Sequence, residues 1–178
     1  MRRPRRRGVV TPLVAHSQEM DKERSPAQSS SRSAATISLT RTERTIIVSL
    51  WSKISTQVDV IGTKTLERLF SCYPQAKTYF PHFDLHTGSA QLRAHGSRVL
   101  AAVGDAEKSI DNVTSALSKL SELHAYVLRV DPVNFKFLSH CLLVTLASHF
   151  PADFTADAHA AWDKFLSIVS GVLTEKYR

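Results

Sequence analysis

Residues 117–135 read LSKLSELHAYVLRVDPVNF. Leu117, Leu120, His124 and Leu128 recur at steps of three and four, the spacing that puts side chains on one face of a helix. Asp131 followed by Pro132 supplies a cap and a first helical position, so a second helix opens at once. Its inward set is Phe135, Leu138, Leu142, Leu146 and Phe150, and Pro151 stops it. Two helices meeting across a short corner, with no strand-like alternation, predict an all-α chain. One residue breaks the pattern, because His124 stands where a leucine would be expected.

Reading outward extends this pattern over most of the chain. Thr40 and Glu43 form a capping box, and Ile47, Leu50, Trp51 and Ile54 follow as one apolar stripe. A helix over about 58–71 carries Ile61, Thr65, Leu66, Leu69 and Phe70, and Pro74 suits the first turn of a short third helix. Tyr79 to Phe83 reads as an aromatic corner. Ser89 caps a long helix to about Lys108, whose inner face holds Leu92, His95, Val99, Ala102 and Val103. Thr155 opens the last helix, with Ala158, Trp162, Phe165, Val169, Val172 and Leu173 inward. The total is seven or eight helices.

Composition divides the chain at residue 37. Residues 1–37 hold eight basic residues against three acidic ones, with five arginines in the first seven positions and the run SSSRS at 29–33. Too little apolar surface is present there to offset the entropy of ordering, which predicts a disordered basic extension. Residues 38–178 hold fifteen basic against thirteen acidic residues and form the folded domain. The overall charge of +7 therefore belongs mainly to the extension, and no aromatics interleave its arginines, which argues against nucleic-acid binding. No apolar run reaches the ~18 residues of a membrane span. After MRRPRRR the stretch VVTPLVA is short and broken by Thr11 and Pro12, a poor secretory signal, so a cytoplasmic location is expected. Cys72 and Cys141 lack the CxxC spacing of a zinc or redox site and read as small buried or interface hydrophobes.

His95 and His124 are the chemical signal. Taken singly, a histidine on an apolar face is more often a satisfied core residue or one with its tip in water. Two of them, on different helices whose other inward residues are Leu, Val and Ala, call for a shared partner. Zinc is a poor one, since no third or fourth ligand with suitable spacing stands near either. Iron in haem suits the pair, because the macrocycle supplies four nitrogens and the protein need give only one imidazole.

The segments KTYFPHFDLHTGSAQLRAHG (77–96), LSELHAYVLRVDPVNF (120–135), KFLSHCLLVTLASHFPADFTADAHAAWDKFL (136–166) and LTEKYR (173–178) resemble the α-type haemoglobin chains of the globin family. SLTRTERTIIVSLWSKI (38–54) and FTADAHAAWDKFLSIVS (154–170) resemble the embryonic, ζ-type branch of that group. The resemblance runs from Ser38 to Arg178 and implies a globin fold around haem b. It implies that His124 is the proximal iron ligand and His95 the distal histidine. Phe80 would wedge against the haem, with Leu66 and Val99 on the ligand side. Leu120, Leu123, Leu128, Val130, Phe135, Leu138 and Leu173 would complete the slot, and His82 and Arg98 would meet the propionates. Most of these leucines are also expected core residues at helical spacing, and Arg98 could equally be a solvated charge.

The implied function is reversible oxygen carriage in the red cell, without enzymatic turnover, as one subunit of a tetramer with β-like globin chains. Arg68, His140, Pro151, Phe154 and His159 would form the tight contact with the partner. Gln75, Thr78, Pro81, Asp131 and Asn134 would form the sliding one. The terminal Arg178 would bridge to a neighbouring α-type chain at Asp163 and Lys164, and Tyr177 would reach a carbonyl near Val130. A haem enzyme would instead want a polar distal cavity or a thiolate ligand, and Leu66, Val99 and Phe80 beside His95 argue against one.

Overall fold

The computed structural model describes residues 38–176. The expected disorder of residues 1–37 and the contacts expected of Tyr177 and Arg178 lie outside that range. Six α-helices follow one another: α1 (Arg41–Ile54), α2 (Val58–Cys72), α3 (Ala90–Lys108), α4 (Val113–Glu122), α5 (Val133–His149) and α6 (Ala156–Thr174). A 3₁₀ segment (Pro74–Tyr79) follows α2, and a π-helical segment (Leu123–Leu128) continues α4. With these two the helical segments number eight, and the described residues contain no strand.

The helix starts obey their sequence signals. The Thr40 hydroxyl accepts from the Glu43 amide while the Glu43 carboxylate accepts from the Thr40 amide, so two free donors are satisfied reciprocally. Ser89, Asn112 and Thr155 each accept from the amide three residues on. Asp131 Oδ1 accepts from the Val133 amide at 3.1 Å, and α5 begins at Val133, after Pro132. Cys141 is buried as expected, whereas Cys72, at the end of α2, is exposed in this chain.

Helices α2 and α3 cross at Gly62 and Gly96. A Cβ built on Gly62 would lie 2.3 Å from the Gly96 carbonyl oxygen, so the two backbones touch where any side chain would hold them apart. That crossing sets where Leu66 and His95 stand, one turn and one residue away.

The apolar interior is split in two. A larger lobe takes in Ile47, Leu100, Leu117, Phe135, Leu142, Leu146, Trp162, Phe165 and Leu173, with Val99, Leu120 and Val130 at its margin. A smaller lobe holds Leu66, Leu69, Phe70, Ala76, Leu92 and Cys141, with Phe80 and Leu138 at its margin. Domains of this size ordinarily close around one continuous core.

Candidate functional site

His95 comes from the second turn of α3 and His124 from the π segment. Each is half-buried. His95 meets Phe80 edge to face at 4.9 Å and Phe83 at 6.0 Å, and Phe80 in turn meets Phe70 at 5.3 Å. No hydrogen bond joins its ring to any of the described residues. Burial, helped by the positive charge of Arg98 and by the nearby His124, pushes the His95 pKa down to about 4. The imidazole is therefore neutral near pH 7, with one N–H to donate.

His124 is held more firmly. Its Nδ1–H donates to the Leu120 carbonyl at 2.8 Å, leaving Nε2 with its lone pair and no hydrogen bond to the described residues. Burial lowers its pKa, and the Leu120 bond opposes that shift. Phe135 meets the ring edge to face at 5.2 Å. The His124 carbonyl accepts from the amides of both Arg129 and Val130, the latter at 3.2 Å. Two captures at one carbonyl close the helix in a π turn, and π turns occur often at functional sites. Arg129 takes the left-handed conformation, φ 51°, to make the second turn possible. It is the sole non-glycine residue with positive φ among those described, a conformation that costs of order 1 kcal/mol or more.

The other sequence candidates divide between the two lobes and the surface. Phe80 and Leu138 edge the smaller lobe, and Leu66 sits inside it with 1% of its surface exposed. Val99, Leu120, Val130, Phe135 and Leu173 belong to the larger lobe. Leu123 and Leu128 are 41% and 48% exposed, apolar surface with no cover in this chain. His82 and Arg98 are exposed at the outer edge. Arg98, Leu120 and Leu123 also line a cleft of about 400 Å³ between α3 and α4, closed by Ala102 and Leu117. The described residues contain no cluster of three or more His, Cys, Asp or Glu able to hold a bare metal ion. The fit is to a flat, largely apolar group that brings its own equatorial ligands. It would be bound from one face by the free Nε2 of His124 and met on the other by His95.

Several contributors were not visible in the sequence reading. Gly62 and Gly96 set the α2–α3 crossing, Arg129 closes the π turn, and Ser121 donates from α4 to the Leu173 carbonyl of α6. Gly96 adjoins His95, Ser121 follows Leu120 and Arg129 stands between Leu128 and Val130, yet none of the three carries a signal of its own in the sequence.

The all-helical fold carries one half-buried histidine on α3 and another on the π segment, and the globin family model matches residues 63–173. The chain belongs to the globin family. More particularly, it is similar to haemoglobin subunit zeta of Capra hircus, 94% identical over 142 residues that make up 80% of this chain and all of that protein. It is 82% identical to haemoglobin subunit zeta of Homo sapiens over the same share of each chain. Haemoglobin subunit pi of Gallus gallus is 61% identical over 142 residues.

Proposed function

We propose that this chain binds haem b between its two apolar lobes and carries oxygen reversibly as an α-like haemoglobin subunit, the folded unit being residues 38–178. The observation that carries the reading is the pair of half-buried imidazoles, His95 against Phe80 of the smaller lobe and His124 against Phe135 of the larger, the second with its Nε2 freed by the Nδ1–H bond to Leu120. Haem, when bound, supplies a ferrous iron that takes up and releases dioxygen.

The chain's own residues do the rest. His124 would hold the iron through its free Nε2, and the Leu120 carbonyl fixes that ring's tautomer and raises its basicity. His95, uncharged because it is buried, has an N–H that could be donated to a diatomic held there, and such a bond would favour the polar ligand O₂ over less polar ones. Val99, Phe80 and Leu66 keep water and protons from the ligand side. Leu120, Leu123, Leu128, Val130, Phe135, Leu138 and Leu173 provide the apolar walls, and His82 and Arg98 meet the propionates at the mouth. Apolar walls withhold the proton donors that peroxide chemistry requires, so the reading is carriage without turnover.

Partner binding is part of the same proposal. Arg68 Nε is buried without a hydrogen-bond partner and its Nη2 reaches Ser148 only at 3.4 Å, a poorly satisfied guanidinium suited to a β-like chain packed on His140, Pro151, Phe154 and His159. On the other face Tyr79 Oη accepts from the Asp131 amide and from Asn134 Nδ2, which organises the surface shared with Gln75, Thr78 and Pro81. No described helix is long and apolar enough to cross a membrane, and the proposed setting is the red-cell cytoplasm.

The test is replacement of His124 by Gly. Haem should then be lost unless imidazole is added to fill the space. Retention of a five-coordinate ferrous spectrum without imidazole would remove His124 from the role.

A further inference from the structure

Ser121 is 1% exposed, the penultimate residue of α4 and three residues before His124. A helical Ser or Thr hydroxyl usually bonds back to the carbonyl four residues earlier. Thr63, Thr65, Thr145, Ser148, Ser167 and Thr174 all do so here. Ser121 does not. Its hydroxyl crosses to α6 and donates to the Leu173 carbonyl at 3.3 Å. That carbonyl belongs to the last turn of α6, where backbone acceptors lack helical partners.

From this geometry we propose that Ser121 is a positioning residue for His124, setting the height and tilt of its ring through the tie to α6. Among the described residues this is the single side-chain hydrogen bond that ties the α4–π unit to any other element. The remaining contacts of α4 with α6 are apolar packing, which is non-directional and resists sliding or rotation poorly. The neighbouring Leu120 carbonyl is the acceptor that orients the His124 ring. A directional bond at Ser121 therefore fixes the same turn of backbone that aims the imidazole. Loss of the hydroxyl would leave the histidine in place but free its turn to shift against α6. The inference rests on the reading that His124 is the iron ligand.

The test uses the full haem-loaded chain carrying Ser121→Ala. Two properties are measured, the iron–histidine stretching band of the deoxygenated form and the solvent exchange of the His124 Nδ1 proton. The band should shift and broaden, and exchange should become about fivefold faster, the fold-change that losing one neutral hydrogen bond corresponds to. Ser121→Cys, which keeps the volume and a weak donor, should fall between the two. A Ser121→Ala chain with the original band and exchange rate overturns the proposal, even if its denaturation midpoint drops, because the serine would then be merely structural. If Ser121→Ala does not retain haem, an unshifted band and exchange rate in Ser121→Cys overturn it equally. Absence of an iron–histidine band in the unaltered chain would instead refute the haem-ligand reading.

Discussion

Replacing Gly96 by Ala tests whether the α2–α3 crossing builds the site. The new Cβ would lie 2.6 Å from the Gly62 carbonyl carbon and 2.7 Å from the Thr63 amide nitrogen, where ordinary contact starts near 3.4 Å. Backbone atoms cannot rotate aside, so the helices must part by about 1 Å. Overpacking of this kind costs up to about 3 kcal/mol. Alanine returns up to about 1 kcal/mol through its better helix propensity. The net loss is about 2 kcal/mol, or roughly 6 °C in melting temperature for a domain of this size. Gly171→Ala is the control, since a Cβ there meets nothing within 4 Å and should leave stability equal or slightly higher. Thermal melts followed by circular dichroism give the stability, and stopped-flow oxygen release gives the effect on the adjacent His95. Equal melting temperatures for the two variants would refute the close-approach reasoning, and normal oxygen release from a destabilised Gly96→Ala would detach the crossing from the site.

Three further outcomes follow from the site. His95→Leu should keep haem but speed oxygen loss and oxidation of the iron, about ten- to hundredfold, from about 1.5–3 kcal/mol for a hydrogen bond to a charged group, with carbon monoxide binding far less affected. Without haem, the folded chain resists protonating His95 down to about pH 4 while the unfolded chain binds that proton near pH 6.5. Stability should thus fall as pH drops through that window, by roughly 2 kcal/mol between pH 7 and pH 5 in urea titrations, and His95→Leu should abolish most of the drop. Deleting Tyr177 and Arg178 from a tetramer with a β-like chain should raise oxygen affinity several-fold and flatten the binding curve, a coupling of about 1–3 kcal/mol, measured by oxygen equilibrium. Lys164, which would meet the terminal carboxylate of Arg178, is already engaged within this chain by Glu43 at 3.1 Å, and Asp163 is the acceptor for the Arg178 guanidinium.

The helices and the two histidines of the candidate site were legible because they are written in single-helix periodicity, whereas the rest of the proposed pocket came only from the resemblance. The capping residues, the inward stripes and the two out-of-place histidines each declare themselves within a dozen residues. What the sequence hid depends on approach between distant segments. Gly62 and Gly96 each read as an indifferent helical glycine until α2 and α3 are laid across one another. Ser121 looks like a polar interruption until its acceptor, 52 residues on, is known. The π turn was missed for another reason. Leu120, His124 and Leu128 fit an ordinary helix, and the widening arises from two downstream amides sharing one carbonyl, which periodicity does not encode. The split core was hidden too, since Leu66 and Phe135 look equally apolar whether they pack into one cluster or two.

The central claim is best tested by the visible spectrum of the purified chain after addition of haem, followed through cycles of oxygenation, deoxygenation and carbon monoxide. One haem per chain should bind, with a deoxygenated spectrum of a single-histidine ferrous haem and full recovery of the oxygenated form over repeated cycles. Failure to bind haem stoichiometrically, or conversion to the ferric form at the first exposure to oxygen, would contradict the account.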